Sequence, residues 1–274
     1  MDSTDIVPNK YVGAWQRLSQ SGVDGTVPRS FWLQTRRLHA SLTIPAHRPD
    51  FSAKTSLSEF NHDELLQLAN QQGIAGSCIV SGETLHRRRQ IDYQPSRGRP
   101  NIRHMRFEQD ILLEEIPNST ERLMWRRLTD PNAESIALRF QDEVDVTDIA
   151  GQRKGVLLVA GDYFLYVRDR GNFVPQSDSL SALIECREYA HPQLVALLDF
   201  EMSFGKRSSG ELPWEIQLST LPFREGKPLF AEGGFEALLK NGRTTLQKYR
   251  RGDKIVLRRW SVDDWRSPGS EQET

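Results

Sequence analysis

Six histidines stand at positions 39, 47, 62, 86, 104 and 191, and imidazole titrates near enough to neutral pH to serve as acid, base or ligand. Only His39 has neighbours that suit such chemistry. It lies in Leu38-His39-Ala40-Ser41-Leu42-Thr43-Ile44. The period-2 pattern puts Leu38, Ala40, Leu42 and Ile44 on one strand face, and His39, Ser41 and Thr43 on the other. Pointed into a barrel, the second face joins Gln34 and the ring of Trp32 in a polar recess, where His39 would act as a general base or hold a ligand. His86 and His104 flank arginines and are expected at the surface, as is His62.

Arginines offer a second kind of chemistry. Residues 86–106 hold seven arginines against one acid, Asp92, while residues 108–148 hold eleven acids against four arginines. Solvated surfaces of opposite sign are the ordinary meaning of such runs. Arginines at 87, 88 and 89 fall on both faces of a strand, which argues against a flat platform for nucleic acid. Turned inward, arginines suit an anionic ligand such as a carboxylate or phosphate. The candidate ligand-binding set is Trp32, Gln34, His39, Ser41, Arg89 and Arg103. Tyr163, Tyr166 and Trp214 are further aromatic candidates for a pocket wall.

Several functions are excluded at the level of motif. There is no Gly-x-Gly-x-x-Gly, phosphate loop, Gly-x-Ser-x-Gly elbow or His-Glu-x-x-His, so no cofactor is expected. Cys78 and Cys186 are the only cysteines; they form no metal or redox spacing, no metal is expected, and they fit a reducing compartment. A formal net charge of −1 predicts no general affinity for nucleic acid or anionic membrane. The first eight residues lack the apolar segment of a secretory signal, and no apolar run approaches the ~20 residues of a membrane span. The expectation is a cytoplasmic protein.

Positioning these residues calls for β-structure. Trp15-Gln16-Arg17-Leu18-Ser19 recurs as Trp125-Arg126-Arg127-Leu128-Thr129. After each come aromatic-rich extended runs, a helix opening with Ser-Leu-Ser, and further strands. The pattern predicts two copies of one β-barrel, since closure removes exposed edges. Each copy carries one inserted helix, at 56–72 and 179–190. Ser56-Leu57-Ser58-Glu59 reads as a capping box, and Pro192 as the stop of the second helix. The first barrel is expected over 9–117 and the second over 121–262, between a flexible stretch at 1–8 and a fraying tail at 263–274. Trp15 with Arg17, and Trp125 with Arg127, are expected to close the barrels structurally.

Tyr11-Val12-Gly13-Ala14-Trp15 resembles the Gly-x-Trp opening strand of lipocalin-like (calycin) barrels. The resemblance implies that Trp15 closes the barrel floor beneath an arginine from the last strand, with Arg103 or Arg106 as the candidate. Over most of the chain, Phe31-Trp32-Leu33-Gln34-Thr35, Trp125 in Leu-Met-Trp-Arg-Arg-Leu-Thr-Asp-Pro, and Gly155-Val156-Leu157-Leu158-Val159-Ala160-Gly161 resemble landmarks of the fungal casein-kinase-interacting protein family. So do Ser203-Phe204-Gly205-Lys206 and Trp214-Glu215-Ile216. That likeness implies a mainly β fold of two tandem lipocalin-like antiparallel β-barrels. It brings no catalytic motif and no kinase-contacting motif.

Three functions follow as expectations. The leading one is a protein that binds a small, partly apolar and anionic molecule in the first barrel. The alternative is a cofactor-independent cyclase, isomerase or hydratase with His39 as its acid/base. The third is a protein-interaction scaffold that uses the acidic 108–148 face. Oligomeric state is left open.

Overall fold

The computed structural model describes residues 6–20, 26–95, 101–144, 153–209, 212–230, 244–251 and 254–267. It is mainly β. Eight strands form a closed antiparallel barrel: β1 (Gly13–Gln20), β2 (Arg29–Gln34), β3 (Leu38–Ile44), β4 (Gln72–Ser81), β5 (Thr84–Asp92), β6 (Asn101–Glu108), β7 (Ile111–Glu115) and β8 (Arg122–Arg127). Each strand pairs with its sequence neighbours, and β8 returns to β1. A second antiparallel sheet of seven strands runs in the order β13-β12-β11-β10-β9-β15-β14. Its strands are β9 (Ser135–Val144), β10 (Gly155–Ala160), β11 (Tyr163–Arg168), β12 (Glu201–Ser209), β13 (Leu212–Ser219), β14 (Thr244–Arg251) and β15 (Lys254–Arg266).

The repeated Trp-x-Arg motif therefore does not open two copies. Its second occurrence is β8, the strand that closes the first barrel, so residues 121–127 belong with 9–117. The two motifs lie side by side and antiparallel, with Trp15 opposite Arg127 and Arg17 opposite Trp125. Each guanidinium covers the other motif's indole, Arg127 at 4.3 Å from the Trp15 ring and Arg17 at 5.7 Å from that of Trp125. The arginine over Trp15 thus comes from the last strand, but it is Arg127 and not Arg103 or Arg106. Arg127 also donates to the carbonyls of Val12 and Lys10. Trp15 Nε1 donates to the carbonyl of Tyr11 at 2.9 Å, and Tyr11 stacks on Phe107. With Val7 fully buried, these side chains form the floor of the barrel. Val7 is part of that floor, while residues 1–5 lie outside the described residues.

Two features occur at matching places in the two sheets. Helical segments enter after the third strand of each: a 3₁₀ turn (Leu57–Glu59) and α1 (His62–Leu68) before β4, and α2 (Leu180–Glu185) and α3 (His191–Leu198) before β12. The fourth strand of each then carries an irregularity at a glycine, between Ala75 and Gly76 and between Phe204 and Gly205. A Cβ on Gly76 would lie 1.9 Å from the carbonyl oxygen of Arg88, and one on Gly205 the same distance from that of Glu215. Only glycine permits that approach.

The helices differ from expectation in detail. The cap on α1 is Asn61 with Glu64, whose side chains and amides bond reciprocally at 2.8 and 2.9 Å. Glu59 instead binds the amide and hydroxyl of Thr55. Pro192 opens α3 rather than ending α2, because proline's missing N–H is harmless in a first turn. Strand β15 continues to Arg266, and residues 264–266 pair with β9 beyond a bulge at Asp263. Residues 268–274 lie outside the described residues.

Between the two sheets lies the largest apolar core. The outward face of β3 (Leu38, Ala40, Leu42, Ile44) packs there with Leu65 and Leu68 of α1, Leu180 and Leu183 of α2, and Leu158 and Phe204 of the second sheet. Phe31 and Phe204 stack across it at 3.9 Å. The buried Asp264 carboxylate fastens β15 to the first barrel through the Arg36 guanidinium at 2.8 Å and the Arg36 amide at 3.1 Å. The inner faces of the sheets build two smaller clusters, one around Trp15, Trp32 and Trp125, the other around Phe164, Trp214 and Trp260.

Candidate ligand-binding site

Because Leu38, Ala40, Leu42 and Ile44 belong to the core between the sheets, the other face of β3 turns into the barrel. His39 is fully buried, and its register partner on β2 is Gln34, also fully buried. Trp32 is opposite Trp15 on one side and Ser41 on the other; its ring stacks on Trp15 at 5.7 Å and meets Trp125 edge-on at 5.9 Å. Of the expected set, Trp32, Gln34 and His39 line the interior, and Ser41 is half-buried. Arg89 is at the rim, where Asp92 holds it at 2.9 Å.

Arg103 enters the barrel and meets a partner that the alternation in β7 does not advertise. Glu114 is fully buried. Its Oε1 accepts from Arg87 Nη1 at 3.0 Å and Arg103 Nε at 2.8 Å, and its Oε2 accepts from Trp125 Nε1 at 2.7 Å. Arg87 also lies 5.2 Å from the Trp32 ring. Arg17 reaches in from β1 and donates to Ser30 and Thr43. Two interior guanidiniums, Arg87 and Arg103, thus share one carboxylate, which leaves that cluster with excess positive charge; Arg17 has both Glu114 and Glu121 as acidic neighbours.

The polar inventory of the lumen is incomplete. Trp32 Nε1, Gln34 Oε1, both ring nitrogens of His39, Nε and Nη2 of Arg87, and Oδ1 of Asn101 are buried and have no hydrogen-bond partner among the described residues. Buried polar groups are ordinarily paired, since leaving one unpaired costs roughly 1–3 kcal/mol. These five residues lie on β2, β3, β5 and β6, with register pairs joining Gln34 to His39 and Arg87 to Asn101. On the second sheet the corresponding polar groups have partners. Trp260 Nε1 is satisfied by Gln247 at 2.9 Å, and Arg258 by Glu143 at 3.1 Å. Tyr166 and Trp214 pack into that apolar cluster, while Tyr163 stacks on Phe204 between the sheets.

Burial, and then the charges of Arg87 and Arg89, hold the His39 imidazole well below its ordinary pKa. A general base near neutral pH needs the opposite tuning and an orienting partner, and His39 has neither. Neutral, it offers one donor and one acceptor to a guest. The Cys78 thiol, opposite Arg87 in the β4–β5 ladder, is pushed up to about 12, chiefly by burial.

A stability prediction follows from His39. Its folded-state pKa lies below the unfolded 6.5, so below that pH the unfolded chain takes up a proton that the folded chain refuses. Stability is then lost as pH falls through 6.5, by up to ~1.4 kcal/mol per pH unit. Urea unfolding between pH 7.5 and 5 should show this slope in the wild type, and His39→Gln should remove it. Equal slopes in the two proteins would refute the assignment.

Much of the acidic 108–148 run is paired with arginines. Glu108 pairs with Arg106, Glu115 with Arg122, Glu134 with Arg207, Asp142 with Arg259 and Glu143 with Arg258; residues 145–148 lie outside the described residues. A groove of about 330 Å³ between the sheets is lined by Arg29, Arg48, Asp50, Phe51, Glu225 and Lys227, among others. Arg48 there is engaged by Gln71, the carbonyl of Ser219 and Glu225.

Comparison with known proteins adds no assignment: no protein-family model, curated protein or solved structure matches the chain. No helix among the described residues is long and apolar enough to cross a membrane.

Proposed function

We propose that this protein is a lipocalin-like container that binds a small, partly apolar anion inside its first barrel. One observation carries the reading: a contiguous set of buried, unpartnered polar atoms lines a closed barrel whose interior charge is positive. Eight-stranded barrels of this kind either fill with side chains or hold one small ligand. Here the aromatic rings of Trp15, Trp32 and Trp125 supply apolar surface, and the unpaired donors and acceptors supply orientation. The second sheet, where Trp260 and Arg258 are paired with Gln247 and Glu143, acts as structural support.

The matched placement of helices and glycine irregularities supports a tandem relation between the two sheets, of the kind implied by the likeness to the fungal casein-kinase-interacting family. Cys78 and Cys186 are free thiols, which supports residence in the reducing cytoplasm. Native mass spectrometry and an absorbance spectrum of protein purified from its own host test the container reading. The expected result is a co-purifying small molecule that denaturation releases. A clean apo mass, with no tryptophan-fluorescence response to any cytosolic metabolite fraction, would refute it.

A further inference from the structure

We propose that the guest is a small hydroxycarboxylate, with its carboxylate held side-on by Arg87 and its hydroxyl between Gln34 and His39. The inference rests on the container reading and gives it a ligand class. Arg87 is the central group. Its Nη1 is committed to Glu114 at 3.0 Å, and its side chain is only 5% exposed. The two nitrogens without a partner, Nε and Nη2, are the pair whose hydrogens point in parallel from one edge of a guanidinium. That edge is the fork that matches the two oxygens of a carboxylate. Glu114 holds the opposite corner of the same group, so the fork is fixed before a guest arrives.

The surroundings narrow the choice further. Trp32 Nε1 is a third unpartnered donor, on the indole that lies 5.2 Å from the Arg87 guanidinium carbon. Donors alone would suit any anion. The lumen also contains unpartnered acceptors, Gln34 Oε1 and Asn101 Oδ1, and His39 offers one more when neutral. A simple fatty acid or a halide leaves those acceptors unmet, and a phosphate monoester dianion carries no hydrogen to give them. A guest that bears both a carboxylate and a hydroxyl fills the fork of Arg87 and gives one hydrogen to the acceptor of Gln34 while accepting from His39. The stacked rings of Trp15 and Trp32 favour a flat or short carbon frame between the two polar ends.

Full-length protein can be titrated with 4-hydroxybenzoate and lactate, with their carboxamides, with benzoate and propionate, and with inorganic phosphate. Tryptophan fluorescence and thermal shift serve as readouts. At least one hydroxycarboxylate is expected to bind roughly 100-fold more tightly than its carboxamide and roughly 10-fold more tightly than its dehydroxylated counterpart. Arg87→Lys keeps the charge beside Glu114 and lacks the fork; it should lose roughly 100-fold in affinity. Trp32→Phe, which removes one donor without touching the ion pairs, should lose about 10-fold, with near-UV circular dichroism confirming that each variant is folded. Equal binding of carboxamide and carboxylate, phosphate binding in place of carboxylates, or an unimpaired Arg87→Lys would overturn the hydroxycarboxylate and leave the container standing. If none of the probes binds, a co-purifying guest seen by native mass spectrometry decides: one that lacks a carboxylate overturns this inference alone, and one that carries carboxylate and hydroxyl supports it. No probe bound and a clean apo mass would remove both readings.

Discussion

Replacing Glu114 with leucine should lower the stability of this protein by at least 3 kcal/mol, on the order expected when one partner of a buried ion pair is deleted. The glutamate answers two guanidiniums and an indole N–H, and its side chain is 1% exposed. Without it, Arg87 retains its charge in a desolvated lumen with no acceptor, and Trp125 Nε1 becomes another unpaired donor at roughly 1–3 kcal/mol. Against a total stability of about 5–15 kcal/mol, the loss is large, and at ~2–4 °C per kcal/mol the melting temperature should fall by roughly 10 °C. Glu114→Gln keeps the shape and one acceptor and should lose about half as much. The double variant Glu114→Leu with Arg87→Met removes charge and counter-charge together and should recover part of the loss, because the penalty arises from the uncompensated guanidinium. Thermal and urea unfolding of the three variants would measure this; a Glu114→Leu change within ~0.5 kcal/mol would mean that the lumen is hydrated enough to solvate Arg87 unaided.

Much of the site was legible in β3, and little of it in β5 to β7, for a physical reason. Leu38, Ala40, Leu42 and Ile44 alternate cleanly with His39, Ser41 and Thr43, so the two faces of that strand separate on inspection. Period 2 does not say which face is inside. In an isolated barrel the apolar face would fill the lumen; here it meets the second sheet, and the polar face turns in. In β5 the run Arg87-Arg88-Arg89 presents the same residue type on both faces, so nothing local distinguishes the buried Arg87 from its exposed neighbours. Glu114 sits beside the half-buried Glu115 in the same way, and only the β6–β7 and β7–β8 registers bring it to Arg103 and Trp125. The repeat of Trp-x-Arg is visible in the sequence, but its letters do not say whether it marks two beginnings or a beginning and an end. A motif that opens one strand and closes the ring beside it has the same letters, and antiparallel pairing is what places each arginine on the other's tryptophan. The polar tail from 263 offers no apolar alternation to extend the second barrel past 262, whereas β15 runs to Arg266 and Asp264 is bound by Arg36.

That last contact points to the second large effect. Separated at residue 132, the first barrel should not survive as a soluble monomer, although its hydrogen-bonded ring is complete on its own. Its outer wall presents Leu33, Leu38, Leu42 and Ile44, flanked by Phe51, Phe60, Leu65 and Leu68, and every one of these is buried by the complete chain. At ~1.5–3 kcal/mol for each large apolar side chain fully withdrawn from water, the wall is worth about as much as the whole stability of a domain. A contiguous apolar patch of this kind on a free monomer drives association. Two polar anchors fail at the same cut: Arg36 loses Asp264, and the buried Gln71 loses the Thr220 carbonyl that it contacts at 3.0 Å. The fragment 1–132 should therefore aggregate or self-associate when expressed alone, and become soluble when 133–274 is co-expressed, as read by size-exclusion chromatography with light scattering. A monomeric fragment with native near-ultraviolet circular dichroism would show that the barrel is autonomous and that the inter-sheet core serves only to join two finished units. The expected result has a consequence for binding. The face of β3 that holds His39 in the lumen is fixed by the face that packs on the second sheet, so a change such as Phe204→Ala, remote from the lumen, should weaken ligand binding by loosening the β3 wall.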